Sequence, residues 1–363
     1  LLIGSAFTQS GGSVTGLDMT LSGSTVDLWN GSLSATLYLG DFGSGQVNLH
    51  GGQIDSSYIG ITDGDFSQNG VSVSNGGLQV GGFNSELFGR YSLNDGVLMS
   101  GDVTVNNGYF YQSNGVHTVT GGISIYGFFD DYDPVFFGNY TLQNGYLNSS
   151  SISQGVFGSF SQINGTNSVS GDLSLSATSY SLSGGMLTVS NTIVEPGRLV
   201  EADAFFSTDF LQSGGLHRVA NMLLCAGHYH LDAGALIAPV IIVGGQLDLG
   251  ASPAASVSNA VSFELAGIVQ LSSSTQHLAA TALSGNSVIN FNSGNSKLTF
   301  ANSSGKIWMP GLTLTISNWN GFASGSGPDQ LFFGNAGNGR AAAQLQGIRF
   351  VNPAGFPAGT GLE

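Results

Sequence analysis

Charged residues are scarce in this chain of 363 residues. Asp, Glu, Lys and Arg make up 8% of it, against about a quarter of a typical soluble domain. Basic residues are rarer than acidic ones: the chain has 7 Lys and Arg and 22 Asp and Glu, which gives a formal net charge of −15. Nucleic acids and anionic lipid surfaces are both bound through clustered Lys and Arg. The composition therefore excludes nucleic acid as a partner and argues against an anionic membrane.

Cysteine, long apolar runs and helical patterns are also missing. Cys225 is the single cysteine, so no disulfide can form within the chain. No apolar run is long enough for a membrane-spanning helix. No segment repeats apolar residues at spacings of three and four, and we predict no helix. The opening from Leu1 to Ala6 lacks the basic start of a secretion signal, and one interpretation is a mature terminus left after cleavage.

Glycine, apolar residues and small polar residues take the place of the charges. The chain has 57 glycines, 23 phenylalanines and 41% apolar residues, which is enough to fill an interior and argues against disorder. The surface must then be built from Ser, Thr, Asn, Gln and Gly. Because such an uncharged surface has few trypsin sites and tolerates salt, we predict an extracellular location.

Two phrases alternate along most of the chain, each followed by a glycine turn. One is Phe-x-Gln and the other is Tyr-x-Leu, and we call the first residue of each phrase its anchor. The aromatic anchors are Phe7, Phe66, Tyr91, Phe110, Tyr140, Phe160, Tyr180, Phe210 and Tyr229. Val26 and Val47 occupy the same position near the start, and successive anchors lie 19 to 30 residues apart. A period near 20 residues, lengthened in some units, is the signature of a solenoid.

Each period contains three short runs that favour β-structure, separated by Asn, Asp and Gly, which predicts three strands joined by tight turns. The predicted fold class is therefore all-β, a three-sided parallel β-solenoid, and the variable coil length favours a right-handed one. The anchor aromatics should stack inside it as a ladder. An antiparallel β-sandwich or barrel is the alternative, but it would not require the same residue type at every period.

The clarity of the repeats divides the chain into two regions. The phrases are clear in residues 1–250 and degenerate in 251–305, and we predict a solenoid over 1–305. From 306 the pattern changes, and we predict that 306–363 forms a C-terminal cap or docking segment, because a solenoid end exposes strand edges. The candidate interface residues are Leu1, Leu2, Ile3, Trp308, Trp319, Phe332, Phe333 and Phe350.

The phrases Tyr-x-Leu-x-x-Gly-x-Leu and Phe-x-Gln-x-x-Gly across 1–250, with the closing phrases Leu314 to Gly321 and Asp329 to Asn335, resemble those of a known family. Its members are secreted repeat proteins of Verrucomicrobia and Planctomycetes that carry autotransporter-associated β-strand repeats, many with a PEP-CTERM-type sorting tail. The resemblance implies export, a β-helical fold and a surface or matrix role, and it supplies no catalytic residues.

We predict no catalytic residue, no cofactor and no metal. Two groups come nearest to a metal site: Asp130, Asp131 and Asp133 for calcium, and Cys225, His228 and His230 for zinc. The first group falls in one insert and is more simply a solvated loop tip, and the second lacks an evident fourth ligand. The same insert, 127–138, carries aromatic side chains that could stack on a sugar: Phe128, Phe129, Tyr132, Phe136 and Phe137.

These observations favour a non-enzymatic extracellular structural protein, a rigid solenoid rod that joins head to tail with copies of itself into a fibre, sheath or surface layer. The alternative is an adhesin or carbohydrate-binding surface rod, with the aromatic insert contacting surface polysaccharide. A polysaccharide-active enzyme is the third hypothesis, and its turnover would depend on Asp130 or Asp131.

Overall fold

The structure, a computed structural model, describes residues 2–3, 6–40, 43–82, 87–130, 133–199, 204–258, 261–292, 294–322, 327–351 and 361–362. At 2–3, 128–130, 133–136, 197–199, 204–206 and 361–362 it describes the backbone only. The chain forms two compact units: unit one is Leu1–Thr188 with Gly197–Phe206, and unit two is Val189–Pro196 with Ser207–Glu363. Strands account for 62% of the residues and helix for 1%, which confirms the predicted all-β class.

Each anchor lies in a short strand, which we call an anchor strand. In unit one the anchor strands are Phe7–Gln9, Thr25–Leu28, Gly45–Leu49, Gly64–Gln68, Gly89–Leu93, Gly108–Gln112, Gly138–Leu142, Gly158–Gln162 and Ser179–Leu182. In unit two they are Asp209–Gln212, His228–Leu231, Gln246–Leu249, Ile268–Leu271, Ser287–Asn290, Leu314–Ser317 and Ile348–Val351. Inward and outward residues alternate along them, because side chains of a strand point to opposite faces in turn.

The rest of each coil is one long strand with a bend or two shorter strands. In unit one these strands are Leu2–Ile3, Ser13–Leu21, Ser32–Leu39, Gln53–Ser56, Ile59–Ile61, Val71–Val80, Gly96–Asn106, Val116–Tyr126, Tyr146–Gln154 and Thr166–Ser176. In unit two they are Leu216–Leu224, Ala235–Ile237, Val240–Val243, Ser256–Ser258, Ser262–Leu265, Thr275–Leu278, Thr281–Leu283, Lys297–Phe300 and Gln330–Phe333, while Met186–Glu195 runs from unit one into unit two. A register shift between Ser100 and Val103 marks the bend in one long strand. A coil thus has three strand segments.

The remaining elements interrupt or follow the coils. Two inserts form antiparallel hairpins, Phe128–Asp130 with Asp133–Phe136 and Gly197–Leu199 with Ala204–Phe206. One short helix, Ala342–Leu345, lies in the described part of the closing region. The strand Gly361–Leu362 pairs antiparallel with Ile348–Val351. The helix differs from the sequence prediction, and its four residues are too few for a hydrophobic periodicity to reveal it.

Successive coils pair in parallel and keep the anchors in register. Tyr91 pairs with Phe66 on one side and with Phe110 on the other. The parallel stacking of successive coils in both units confirms the parallel β-solenoid. The pairing continues beyond residue 305, since Leu314–Ser317 pairs in parallel with Ser287–Asn290, and Ile348–Val351 pairs in parallel with Leu314–Ser317.

The anchor rings of unit one form a continuous buried stack. Ring centroids lie 4.7 Å apart from Phe66 to Tyr91, then 5.0, 4.5, 4.8 and 4.9 Å apart along Phe110, Tyr140, Phe160 and Tyr180, with interplanar angles of 3° to 12°. In unit two, Phe210 stacks on Tyr229 at 4.6 Å. Each stacked pair contributes about 0.5–1.5 kcal/mol beyond its buried area. Phe7 is half-buried and pairs with Val26.

The glutamine of each Phe-x-Gln phrase explains why Phe and Tyr anchors alternate. Gln112 points inward, and its Nε2 donates to the carbonyl oxygens of Gly115 and Tyr146 at the corners of its own and the next coil. The Tyr140 hydroxyl of the next coil donates to Gln112 Oε1 at 3.0 Å. The same tyrosine–glutamine bond recurs at Tyr91–Gln68, Tyr180–Gln162 and Tyr229–Gln212. Each of these four glutamines therefore accepts a hydrogen bond from a buried tyrosine, and two coils form one hydrogen-bonding repeat. Gln9 is the exception, because the next anchor is Val26 and no tyrosine bonds its Oε1.

We expect Gln112→Leu and Tyr140→Phe to be energetically coupled. Tyr140→Phe leaves Gln112 Oε1 unpaired, and Gln112→Leu leaves the Gly115 and Tyr146 carbonyls without the glutamine amide, although the Tyr140 hydroxyl keeps His117 Nδ1 at 2.9 Å. Each such loss costs about 1–3 kcal/mol of unfolding free energy. The double variant should lose about 1 kcal/mol less than the sum of the single losses. Leucine is a fair replacement because Leu93 and Leu142 occupy the aligned position in the neighbouring coils. Urea denaturation followed by circular dichroism measures the four free energies.

A second cycle provides the control for this coupling. Gln112→Leu combined with Tyr180→Phe should be additive, because Tyr180 bonds Gln162 instead. Equal coupling in both cycles would show that the effect spreads through the core and does not belong to one hydrogen bond.

Candidate functional site

A cluster of histidine and aspartate lies on the outer face of unit two. His228 and His230 flank the buried anchor Tyr229, so the alternation of the strand directs both imidazoles outward. Asp209 precedes the anchor Phe210 in the preceding coil and pairs in register with His228. The parallel stacking of two coils thus brings an aspartate above two histidines.

The polar atoms of this cluster converge closely. Asp209 Oδ1 lies 3.4 Å from His228 Nδ1 and 3.6 Å from His230 Nε2. All three ligand atoms lie within 4.8 Å of one another. Within the described ranges, this is the one group of three or more His, Cys, Asp or Glu side chains that meets so closely.

A second aspartate fixes the orientation of His230. Asp248, in register with His230 in the following coil, holds His230 Nδ1 at 2.7 Å through Oδ2. Its other oxygen accepts a hydrogen bond from Gln246 Nε2 at 2.7 Å. The hydrogen bond to Asp248 raises the pKa of His230, against partial burial, which lowers it. His230 Nε2 is thereby left facing Asp209.

Cys225, the third member of the predicted zinc group, does not belong to this cluster. The thiol is exposed, and partial desolvation together with the Glu195 carboxylate raises its pKa. A raised pKa disfavours the thiolate, which is the form that binds metals. Asp209 and Asp248 are the residues that the sequence analysis missed. For Asp209 the available signal was its position, since Asp209 precedes Phe210 as His228 precedes Tyr229.

Two other histidines, His117 and His217, are interior residues. His117 and His217 are fully buried and stack on the anchors Phe110 and Phe210. His117 Nδ1 lies 2.9 Å from the Tyr140 hydroxyl, and His217 Nδ1 lies 2.8 Å from that of Tyr229. Burial lowers the pKa of each imidazole to about 3. They are therefore neutral parts of the core.

The predicted calcium group and the predicted sugar-stacking surface fall largely outside what the structure describes. Asp131 and Tyr132 lie outside the described residues, and only the backbone is described at Phe128, Phe129, Asp130, Asp133 and Phe136. Phe137 is 52% exposed and packs edge-on against Phe157. Both groups remain predictions.

In the closing segment, Arg340 is held between two aromatic rings. Its guanidinium lies 4.1 Å from the Trp308 ring centroid and 3.3 Å from that of Phe333. Burial lowers the pKa of Arg340 to about 9. Trp308 also donates from Nε1 to the carbonyl of Thr281. Trp308 and Phe333, two of the predicted interface aromatics, thus pack against the Arg340 guanidinium within unit two.

The other predicted interface residues of this segment are partly exposed. Trp319 packs on Phe350 at 5.1 Å and donates to the carbonyl of Asp329. Phe332 is 40% exposed, and the Lys297 ammonium lies 5.0 Å from its ring. Leu1 lies outside the described residues, while the backbone of Leu2 and Ile3 pairs with Thr20–Leu21.

An apolar surface surrounds the short helix Ala342–Leu345, and we call it the closing surface. On one side Ile307, Met309 and the helix line a cavity of about 570 Å³, whose lining also includes polar and charged residues such as Lys306 and Arg349. On the other side a cavity of about 300 Å³ has an entirely apolar lining of Trp319, Leu331, Phe333, Leu345, Ile348 and Phe350. Met309 and Leu345 are 52% and 55% exposed.

Comparison with known proteins gives no relative for this chain: no protein-family model, no curated protein and no solved structure matches it. Among the described residues, no helix has the length and apolar character that crossing a membrane requires.

Proposed function

We propose that this chain is a non-enzymatic structural protein that works outside the cell and assembles with copies of itself. In this assembly the closing surface of one copy packs on the opening coil of the next. The observation that carries the proposal is partial exposure of inward-facing apolar residues at these two places. In the other described coils the aligned residues are buried.

At the closing surface, inward positions of the last described coils are incompletely covered. Phe333 and Phe350 are half-buried, although Phe300 and Ile316, which pair with them in register, are fully buried. Apolar surface removed from water contributes about 25 cal/mol per Å². Exposed apolar patches rimmed by polar residues mark association surfaces.

The opening coil of unit one shows the same contrast. Phe7 and Val14 are half-buried, whereas their register partners Val26 and Leu33 are 1% and 2% exposed. Two different complementary surfaces on one chain give a heterologous contact, which can add copies without limit.

The interior supports a structural role, because the polar side chains along the anchor stack bind one another and the corner backbone. The glutamine amides bind corner carbonyls and tyrosine hydroxyls, and the buried histidines bind the same hydroxyls. The exterior is poor in charge, with 8% charged residues in the whole chain, which suits a location outside the cell. The resemblance of the phrases to those of secreted repeat proteins supports the same location.

Charged substitutions on the closing surface should abolish assembly. We expect the full chain to form polymers in sedimentation velocity and negative-stain microscopy, and Met309→Asp with Leu345→Asp to leave it monomeric. The reason is that two carboxylates would have to be desolvated in the contact. The β-sheet circular dichroism should not change, because both side chains are about half exposed.

Met99→Asp with Ile163→Asp is the matched control, since both side chains are 48% exposed and lie on coils of unit one. It adds the same two charges and should leave the polymers intact. A monomeric wild-type chain at every concentration tested would exclude self-assembly. Polymers of the closing-surface variant would exclude that surface as the contact.

A further inference from the structure

We propose that Asp209, His228 and His230 bind a divalent cation of the zinc class, which links two successive coils of unit two. The site is distinct from the closing surface and does not depend on self-assembly. It uses two imidazole nitrogens from one strand and one carboxylate oxygen from the preceding coil.

The distances between the polar atoms fit shared coordination. Ligands bound to zinc at about 2.0–2.1 Å in a tetrahedral arrangement lie about 3.3 Å from one another. The separations from Asp209 Oδ1 to the two imidazole nitrogens are 3.4 and 3.6 Å. Both exceed the usual 2.7–3.2 Å of an N–H···O hydrogen bond. These two separations, together with the limit of 4.8 Å on all three, fit ligands that close on one ion better than direct hydrogen-bond partners.

The supporting residues have the arrangement expected around a metal ligand. A histidine that binds a metal through one nitrogen commonly donates from the other to a carboxylate. His230 Nδ1 and Asp248 Oδ2 form that contact at 2.7 Å, and Gln246 holds the remaining oxygen of Asp248. His228 and Asp209 lie on paired strands, so the backbone fixes their separation. The site is oriented before any ion binds.

The ligand set selects the class of ion. Imidazole suits zinc, copper and nickel, whereas calcium and magnesium prefer oxygen ligands alone. The side chains of Asp209, His228 and His230 are 27%, 43% and 28% exposed, so one coordination position faces solvent. That position would take water or a donor from another molecule. Within the chain, the ion would join Asp209 of one coil to two histidines of the next.

Another histidine of the chain provides a matched comparison. His50 stacks on Trp29 at 4.0 Å and lies 3.8 Å from Asp27. It forms a histidine–aspartate pair just after the anchor strand Gly45–Leu49, but it has no second imidazole two residues away. It should not hold zinc with comparable affinity.

Isothermal titration of the tag-free full chain with zinc sulfate at pH 7.5 tests the proposal. We expect one zinc per chain, and a loss of affinity of at least 100-fold in the double variant His228→Ala with His230→Ala. Asp248→Asn should weaken binding about 10- to 100-fold, because it removes the partner that orients His230. His50→Ala and Cys225→Ser should bind as the wild type does. Cobalt should give d–d absorption bands without a thiolate charge-transfer band.

The proposal is overturned if zinc produces no saturable heat, or if the double histidine variant binds as tightly as the wild type. Loss of binding in Cys225→Ser would place the ion on the thiol instead. Circular dichroism of each variant checks that unit two is folded. Repeating the titration on Met309→Asp with Leu345→Asp separates zinc binding from self-assembly.

Discussion

Gly145→Ala is expected to destabilise unit one by about 3 kcal/mol or more, one of the largest losses available from adding one methyl group. Gly145 turns the corner after the Tyr140 anchor strand with φ of +88°, a conformation that alanine adopts only under strain. A Cβ atom there would also lie 2.4 Å from the carbonyl oxygen of Gly115 in the preceding coil. Because that atom is backbone, the coils must separate to admit the methyl group.

Two other glycines of unit one separate the two causes. Gly12 has φ of +78°, but a Cβ atom added there meets nothing within 4 Å. Gly12→Ala should therefore show only the conformational cost of about 1–2 kcal/mol. Gly16 has neither a positive φ nor a close neighbour, and Gly16→Ala should change stability by less than about 0.5 kcal/mol.

Urea denaturation of the three variants gives the comparison. The predicted order of loss is Gly145, then Gly12, then Gly16. An equal loss in Gly145→Ala and Gly12→Ala would show that the close approach between coils contributes nothing, and that the backbone conformation accounts for the whole effect.

The same corner glycines made the fold predictable from the sequence. Each coil from the Phe7 anchor to the Tyr229 anchor needs a glycine at the corner that follows its anchor strand, because the backbone there has a positive φ. The period can therefore be recognised even where the anchor is Val26 or Val47 and not an aromatic residue. The inward direction of the glutamine followed from its spacing of two from the anchor. The hydrogen bond from the tyrosine hydroxyl to this glutamine could not be predicted in the same way. It joins two different coils, and the sequence alone does not give the stacking of the side chains between them.

The histidine–aspartate cluster shows where the repeat stops being informative. Asp209 and His228 precede the recognisable anchors Phe210 and Tyr229, so their alignment can be derived from the sequence. Asp248 follows Leu247, an anchor that is no longer aromatic, and its alignment with His230 needs the structure.

The closing segment has no repeat to guide such an alignment. Arg340 meets Trp308, 32 positions earlier in the chain, through irregular backbone. A contact of this kind cannot be predicted from a repeat, because the two residues do not recur at a regular spacing in the sequence.

Acid should destabilise the coils through the two buried histidines. Burial lowers the pKa of His117 and His217 from 6.5 to about 3, so between these values the unfolded chain binds more protons than the folded one. Stability therefore rises with pH in this window and falls on acidification, by about 1.4 kcal/mol per pH unit for each histidine. From pH 6.5 to 4.5 we expect a loss of about 2–3 kcal/mol in each unit from this cause.

His117→Asn and His217→Asn together should remove most of this acid sensitivity. Asparagine suits the site, since Asn167 occupies the aligned position two coils after His117 and donates to the Tyr180 hydroxyl. Thermal unfolding between pH 7.5 and 4.5 should show a shallower slope in the double variant, although its stability at pH 7.5 is lower. His277→Asn, at an exposed side chain, should keep the wild-type slope. If the double variant and the wild type lose stability in parallel, the buried imidazoles do not set the response to acid, and the carboxylates of the outer face must do so.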